Sequence, residues 1–418
     1  MSQDEPAIQL RPVIVGGDIG SYATARAFHE AYGVNTVIIS GTRIGPVAHS
    51  NIVDLRVEPK LEDEFLNVLK GVIAEAPNAT HILLGSVDWW VTKLADHHQE
   101  LHPAIVPYPP ASTLAQITNK ASFAELCEEL GIPHPRTTIV TPQDALPHDL
   151  PCPMVVKPAD STSYRAVDMP NKNKVEYFNQ PVELRGFLDR VKDAGYDGEF
   201  IVQEYIPGGD SSMAALNAFY GPDGSPHFLV FGQVLLEEHT PNGRGNSVGQ
   251  ITGSMPDHPV IRHAQKFLDH LGWVGFANFD LIFDGEKHLF LELNPRVGRS
   301  GYAVTAAGFN TAEYYVQTFH EKQLAPPEPH VAKDPHLFTV VPLRLLKKYA
   351  PRWADAITAL KKAKSVTNPY YYGAEKNPRR WAYIAAAMMN QFRKFARHHP
   401  GPEQGTRLGQ RGTRFPFL

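Results

Sequence analysis

Two short apolar segments of this chain carry hard oxygen donors at alternating positions. They cover residues 278–283 and 289–296, and the dipeptide Asp284-Gly285 between them is typical of a tight hairpin turn. Since alternate residues of a strand share a face, the hairpin would present three donors together: Asp280, Glu292 and Asn294. Carboxylate and amide oxygens are ligands that Mg²⁺ prefers. The pattern predicts a magnesium site, and its alternative is a solvated sheet face.

Arg296 follows the last of these donors by two residues and adds a fixed positive charge. A metal ion and an arginine together stabilise the charge on a phosphoryl group during its transfer. This segment therefore favours phosphoryl-transfer chemistry.

Composition limits the class of protein. A chain of 418 residues is long enough for two or three domains, and its two cysteines, Cys127 and Cys152, have no paired spacing. The first residues are polar and acidic, unlike a signal peptide, and no apolar run reaches membrane-spanning length. We expect a cytoplasmic protein. Among the histidines, His97-His98, His102 and His398-His399 lack zinc-binding spacing and acidic neighbours, and we interpret them as surface residues.

Charge is distributed unevenly along the chain. From residue 331 onward there are 17 Lys and Arg against 4 Asp and Glu, whereas the preceding residues have 23 against 40. Such asymmetry suggests a separate role for the basic tail.

The first 110 residues alternate between strand and helix patterns, which predicts a parallel sheet covered by helices. Strands are expected at 13–17, 36–40, 81–85 and 104–107, and helices at 21–32, 62–75 and 87–99. The glycines Gly16, Gly17 and Gly20 lack the spacing of a dinucleotide fingerprint, and no acidic residue ends the second strand. We expect no nicotinamide or flavin here. A glycine turn that brings backbone amides close to an anion fits better.

The next part of the chain is predicted to begin with a linker helix that ends at Leu130 and has Lys120 near its middle. Further strands are expected at 154–158, 199–206, 213–220 and 228–237, with helices at 183–194 and 262–271, before the acidic hairpin.

The order and spacing of Lys120, Lys157, the segment 202–208, Asp280 and the segment 292–296 resemble those of the ATP-grasp ligases. The resemblance extends over roughly residues 14–316 and implies an α/β (α+β) fold. Its parts would be a Rossmann-like pre-ATP-grasp domain without a dinucleotide, a two-lobed ATP-grasp domain and a basic helical C-terminal extension. The expected boundaries are 1–110, 111–330 (linker helix and entry 111–150, flap lobe 151–210, metal-binding lobe 211–330) and 331–418.

The resemblance also implies which residues bind ATP. Two lysines would neutralise phosphates, a hinge segment would hold the adenine, serines of a flap loop at 159–165 would donate to the triphosphate, and an aspartate would bind the ribose. In chain order these are Lys120, Lys157, Ser161, Ser163, Glu204, Tyr205, Ile206 and Asp210. By itself Lys120 could be a surface lysine, and Asp210 could equally be a turn residue.

Four further residues complete the implied site. Arg296 and Arg244 would stabilise the transferring phosphoryl group, while Arg299 and Ser300 would bind a substrate carboxylate. The implied cofactors are ATP and Mg²⁺, with Mn²⁺ as a substitute. A carboxylate would attack the γ-phosphate, and an amine would then displace phosphate from the acyl phosphate and leave an amide.

Residues 291–302, followed by 307–310, are similar to D-aspartate ligases, which attach D-aspartate to the lysine of peptidoglycan precursors. Arg299 and Arg244 could anchor such an acidic amino acid. The implied partners are an amino acid and an amine acceptor, either a muropeptide nucleotide or a lipid-linked precursor. Two alternatives stay open: an amino-acid or dipeptide ligase of small-molecule metabolism, and a non-catalytic nucleotide-binding protein.

Residues 379–399 show the period of an amphipathic helix. The predicted apolar face is Trp381, Ile384, Ala385, Met388, Phe392 and Phe395, and the basic residues Arg380, Arg393, Lys394 and Arg397 fall largely elsewhere. We interpret this helix as packed on the core. The alternative is peripheral contact with an anionic membrane. No nucleic-acid module accompanies the basic tail, so nucleic acid is not expected, whereas a homodimer stays open.

Overall fold

In the computed structural model, the described residues are 9–160, 163–164, 166–170, 172–173, 175–241, 243–253 and 258–401. They form a mixed α/β structure, as predicted. Its first sheet is parallel, with the strand order β3-β2-β1-β4. The strands are β1 (Leu10–Val15), β2 (Thr36–Ser40), β3 (Val53–Val57) and β4 (Thr80–Gly85).

Three helices belong to this N-terminal region: α1 (Ile19–Tyr32), α2 (Leu61–Ala74) and α3 (Asp88–Asp96). The Asp18 carboxylate accepts a hydrogen bond from the Ser21 amide and caps α1, while Gly33 ends it with φ 66°. The predicted strand at 104–107 is wrong, because only an isolated bridge joins Ile105 to Ile82. β3 was missed because it is only partly buried and carries charged residues.

A second, antiparallel sheet has the order β5-β8-β6-β7. It comprises β5 (Thr137–Val140), β6 (Met154–Pro158), β7 (Glu176–Phe178) and β8 (Phe200–Glu204). The accompanying helices are α4 (Ala111–Thr118), α5 (Lys120–Glu129) and α6 (Pro181–Asp193). Buried Leu184 and Phe187 of α6 pack with Phe200 of β8 in one hydrophobic cluster.

The single linker helix predicted through Leu130 is wrong, because Asn119 interrupts it. Its backbone is extended (φ −81°, ψ 118°), and its side chain accepts hydrogen bonds from the Ala121 and Ser122 amides. Asn is a favoured N-cap residue, so a new helix begins at this point. Lys120 is consequently the first residue of α5 rather than a mid-helix residue.

The third sheet has seven strands in the order β13-β12-β9-β10-β11-β14-β15. They are β9 (Met213–Tyr220), β10 (Pro226–Glu237), β11 (Ser247–Gly253), β12 (Gly275–Phe283), β13 (His288–Asn294), β14 (His336–Thr339) and β15 (Val366–Thr367). The other helices are α7 (Pro259–His270), α8 (Tyr302–Ala306), α9 (Thr311–Tyr315), α10 (Leu343–Tyr349), α11 (Ala354–Lys362) and α12 (Pro378–His398).

The chain divides into two compact units. The first contains Met1–Ala111, Gly209–Asn278 and Pro295–Leu418, and the second contains Ser112–Gly208 and Phe279–Asn294. The basic C-terminal segment therefore belongs to the same unit as the N-terminal sheet. The domain boundaries expected from the sequence stay a prediction.

Helix α12 buries Ile384, Met388 and Phe395 as predicted, but three parts of its predicted pattern are wrong. Ala385 and Phe392 are exposed, and Arg380 is fully buried. Arg380 lies 3.2 Å from Glu375, whose side chain is also fully buried. The first turn of the helix contacts α1, because the Arg380 guanidinium lies over the ring of Tyr22. Among the described helices, none has the length and apolar content needed to cross a bilayer.

The buried Arg380 side chain gives a stability prediction. Its guanidinium donates to the Pro46 carbonyl at 2.7 Å and lies 3.9 Å from the centroid of the Tyr22 ring. Replacing Arg380 with Ala leaves the Glu375 carboxylate without its cation, and we expect a loss of about 3–5 kcal/mol in unfolding free energy. Urea unfolding measures this loss, with Arg379→Ala on the exposed side of the same turn as the control. Equal unfolding midpoints for the two variants would contradict the assigned role of the ion pair.

Candidate active site

The predicted acidic hairpin is confirmed. β12 and β13 are neighbours in the sheet, and the Asp284 amide donates to the Lys287 carbonyl at 3.1 Å to close the turn. Gly285 has φ 107°, a conformation that favours glycine. The side-chain amide of Asn294 donates to the Asp280 carboxylate at 3.4 Å, so these two side chains meet across the hairpin.

The donor set fits a divalent cation. Asp280 and Glu292 are half-buried, and Asn294 is 8% exposed, so an ion held here would be partly shielded from solvent. All three side chains offer hard oxygen atoms, the ligand type of Mg²⁺ or Mn²⁺ rather than of a thiolate-binding metal. Their role as metal ligands stays a prediction.

The two predicted phosphate lysines lie in adjoining segments of the second unit. Lys157 is half-buried on β6, and the backbone amide of Lys120 donates to the Ala159 carbonyl at 3.2 Å. Buried Ala121, Ala159 and Ile201 pack beneath these segments. The start of α5 is thus fixed beside the end of β6.

In the predicted hinge segment, residues 204–206, two residues form hydrogen bonds with the backbone of neighbouring segments. The Glu204 carboxylate accepts from the Arg136 amide at 2.8 Å, and the Tyr205 amide donates to the Pro153 carbonyl at 3.0 Å. Tyr205 itself is exposed, and Ile206 is half-buried. In the flap loop, the exposed Ser163 hydroxyl donates to the Asp160 carbonyl at 3.3 Å. Ser161 lies outside the described residues.

Arg296 belongs to the first unit and is held by an acidic residue at the start of α3. Its Nε atom is 2.8 Å from Asp88 Oδ1, an ion pair whose geometry is not that of a hydrogen bond. With a side chain only 19% exposed, Arg296 is a partly buried cation with a defined position.

The loop after Arg296 carries the predicted substrate residues Arg299 and Ser300. A hydrogen bond of 2.9 Å from the Gly301 amide to the Gly298 carbonyl closes it. Gly20 of the N-terminal glycine turn packs against it, since a Cβ atom there would be only 3.1 Å from the Gly298 oxygen. The glycine turn therefore supports this loop by close packing.

Asp210, predicted to bind ribose, lies in a group with two histidines. Its carboxylate accepts from the Glu237 amide at 2.9 Å and lies 2.8 Å from His239 Nε2 and 3.7 Å from His399 Nε2. The His399 side chain is only 3% exposed, so its interpretation as a surface residue is wrong. Its Nδ1 accepts from the Gly401 amide at 3.1 Å, which leaves Nε2 to carry the proton in the neutral ring.

Burial and neighbouring charges set the ionisation of this group. Burial opposes ionisation of Asp210, but hydrogen bonds from His239, His399 and the Glu237 amide hold its pKa below the ordinary value. Burial, reinforced by Asp210, raises the pKa of the Glu237 carboxyl to about 8, and Arg244 acts in the opposite direction. Arg244 is exposed, in a loop fixed by a 2.9 Å hydrogen bond from its amide to the Thr240 carbonyl. The ribose and phosphoryl roles of Asp210 and Arg244 stay predictions.

Sequence reasoning missed the contacts around Glu238. Arg299 Nη2 lies 3.5 Å and Lys394 Nζ 3.1 Å from its carboxylate oxygens. The segment Glu237-Glu238-His239 is visible as a charged end of a strand. No local pattern, however, predicts that this segment contacts a helix more than 150 residues later.

Comparison with known proteins adds independent findings. The family model described as an ATP-grasp domain matches residues 117–300. The chain is 30% identical over 414 residues to a D-aspartate ligase of Enterococcus faecium (strain Aus0004), covering 93% of this chain and 96% of that protein.

Solved structures agree in fold. An L-amino acid ligase from Bacillus licheniformis matches with a TM-score of 0.54 and 16% identity, covering 74% of this chain and 73% of its own. An N5-carboxyaminoimidazole synthetase from Staphylococcus aureus matches with a TM-score of 0.58 and 12% identity, covering 85% and 88%. These structures support the fold alone.

Proposed function

This chain belongs to the ATP-grasp carboxylate–amine ligases, and on that premise we propose that it joins D-aspartate to the lysine amine of a peptidoglycan precursor. The ATP-dependent formation of a carbon–nitrogen bond follows from the family. The observation that carries the finer proposal is the 30% identity to a D-aspartate ligase over nearly the whole length of both chains. The cationic loop at Arg299 supports it, because an acidic amino acid needs cationic anchors.

The reaction proceeds in two steps. A carboxylate oxygen of the amino acid attacks the γ-phosphorus of ATP, the bond from that phosphorus to the bridging oxygen breaks, and ADP leaves. The amine nitrogen of the acceptor then attacks the carbonyl carbon of the acyl phosphate and expels phosphate. The nitrogen loses a proton to solvent, and an amide remains.

The residues contribute position and charge. Lys120 and Lys157 neutralise the ATP phosphates, and the segment at Glu204 holds the adenine. Arg296, held by Asp88, stabilises the negative charge that develops on the phosphoryl group. Asp280, Glu292 and Asn294 would hold Mg²⁺, which supplies charge neutralisation for the phosphates when bound.

The experiment that tests this proposal is phosphate release from Mg-ATP across a panel of D- and L-amino acids. Each is assayed with a lysine-containing muropeptide and, separately, with hydroxylamine, a small nucleophile that captures an acyl phosphate whatever the natural acceptor is. We expect release with D-aspartate in both series and an amide product with the muropeptide. Release with a different amino acid would replace the substrate, and D-aspartate turnover with hydroxylamine alone would replace the acceptor.

A further inference from the structure

Helix α12 brings a second cation to the predicted substrate loop. Lys394 Nζ lies 3.1 Å from Glu238 Oε1, and Arg299 Nη2 lies 3.5 Å from Oε2 of the same carboxylate. The Thr240 hydroxyl also donates to Oε1 at 2.6 Å. One carboxylate at the end of β10 thus holds a loop arginine and a lysine of the C-terminal helix side by side.

The charges and exposures of these groups differ in a way that points to an anionic ligand. The Glu238 side chain is 7% exposed, whereas Arg299 and Lys394 are 39% and 38% exposed. Burial opposes ionisation of Glu238, yet Thr240, Lys394 and Arg299 lower its pKa, so it carries one negative charge against two positive charges. The two cations are therefore more accessible to solvent than the carboxylate between them, and the three groups together have a net positive charge.

The hydrogen-bonding capacity of Arg299 is not used up by Glu238. Their distance of 3.5 Å is that of an ion pair, and the buried Nε of Arg299 has no hydrogen-bond partner among the described residues. Buried donors are usually satisfied, so an unsatisfied guanidinium nitrogen beside a solvent-accessible cation is a place for a ligand oxygen.

We propose that Arg299 and Lys394 together bind the two carboxylates of a dicarboxylic amino acid, with Lys394 recognising the carboxylate that does not react. This inference rests on the proposed function and deepens it by assigning the residue that selects an acidic substrate. The arginine fork holds one carboxylate in a fixed orientation, and the lysine supplies a point charge for the other. Arg244, the second anchor expected from the sequence, lies exposed in its loop and makes no ion pair within the described residues.

The basic C-terminal segment thereby acquires a role at the substrate. If Lys394 served only to join α12 to β10, replacing it would alter the stability of the enzyme or the turnover of every amino acid alike. Recognition of the second carboxylate instead affects only substrates that have one. Substrates of nearly the same shape but different charge therefore distinguish the two roles.

The test compares D-aspartate with its two monoamides, D-asparagine and D-isoasparagine, which have nearly the same shape but lack one charge each. Hydroxamate formation in the full-length enzyme with Mg-ATP and hydroxylamine gives the KM for D-aspartate. The monoamide that also forms a hydroxamate keeps the reacting carboxylate and lacks the one assigned to Lys394. We expect Lys394→Met to raise the KM for D-aspartate about 10- to 100-fold with kcat changed less than about 3-fold. The KM for that monoamide should stay within about 2-fold, and Lys394→Arg should restore most of the D-aspartate affinity.

Arg393→Met, one residue earlier on the exposed side of α12, is the matched control and should behave as the wild type. An unchanged D-aspartate KM in Lys394→Met, or equal changes for D-aspartate and the reactive monoamide, overturns the assignment of Lys394 while the proposed function stands. A wild-type enzyme that uses another amino acid but not D-aspartate overturns the proposed function before any variant is made, and this anchor with it.

Discussion

Replacing Glu292 by Gln is expected to lower kcat for phosphate release about 10³-fold, which corresponds to roughly 4 kcal/mol of transition-state stabilisation. The substitution keeps the size of the side chain but removes a carboxylate from the donor set of the β12–β13 hairpin. A metal ion bound by the remaining oxygen atoms would be held more weakly and would neutralise less phosphate charge. We therefore also expect a higher Mg²⁺ concentration for half-maximal activity.

Steady-state phosphate release, measured over a range of Mg²⁺ concentrations with D-aspartate and hydroxylamine, checks this expectation. Glu286→Gln is the matched control, because Glu286 is an exposed glutamate in the turn of the same hairpin. Both variants should unfold at the same urea concentration as the wild type. Activity of Glu292→Gln within a few fold of the control would remove the hairpin from the catalytic site.

Replacing Arg296 by Ala is expected to lower kcat about 10²- to 10³-fold with a smaller effect on the KM for ATP. The guanidinium is partly buried and held by Asp88. In the proposed reaction it would therefore be positioned in advance for the charge that develops during phosphoryl transfer. Arg296→Lys should recover only part of the rate, because a lysine supplies a point charge without the planar fork of donors.

Asp88→Asn provides the complementary measurement for Arg296. It leaves the arginine in place but removes its ionic partner, and we expect a kcat loss of about 10-fold, smaller than that of Arg296→Ala. Arg393→Ala, an exposed arginine on α12, controls for the loss of a positive charge. A large rise in KM for ATP with kcat intact in Arg296→Ala would assign Arg296 to ground-state binding instead.

Local patterns in the sequence predict the acidic hairpin of the candidate site. The Asp284-Gly285 turn and the alternation of Asp280 with its neighbours are short-range signals, and the structure contains the hairpin they indicate. The start of α12 was likewise predictable to within a residue from its period. Such signals succeed because turn chemistry and strand or helix period are set by neighbouring residues.

The features that were missed depend on contacts between distant parts of the chain. Arg380 looks like a solvated charge on its helix, and only the position of Glu375 beside α1 explains its burial. His399 and Lys394 similarly contact Asp210 and Glu238, which lie more than 150 residues earlier in the chain. Asn119 was overlooked as a capping residue because apolar residues continue on both sides of it.

In the proposed reaction, ATP activates the amino-acid carboxylate by phosphorylation. The most direct measurement uses D-aspartate labelled with ¹⁸O in its carboxylates, incubated with the enzyme, Mg-ATP and hydroxylamine. We expect each released phosphate to contain one ¹⁸O atom and the nucleotide product to be ADP. Unlabelled phosphate, or ¹⁸O in AMP with release of pyrophosphate, would contradict it.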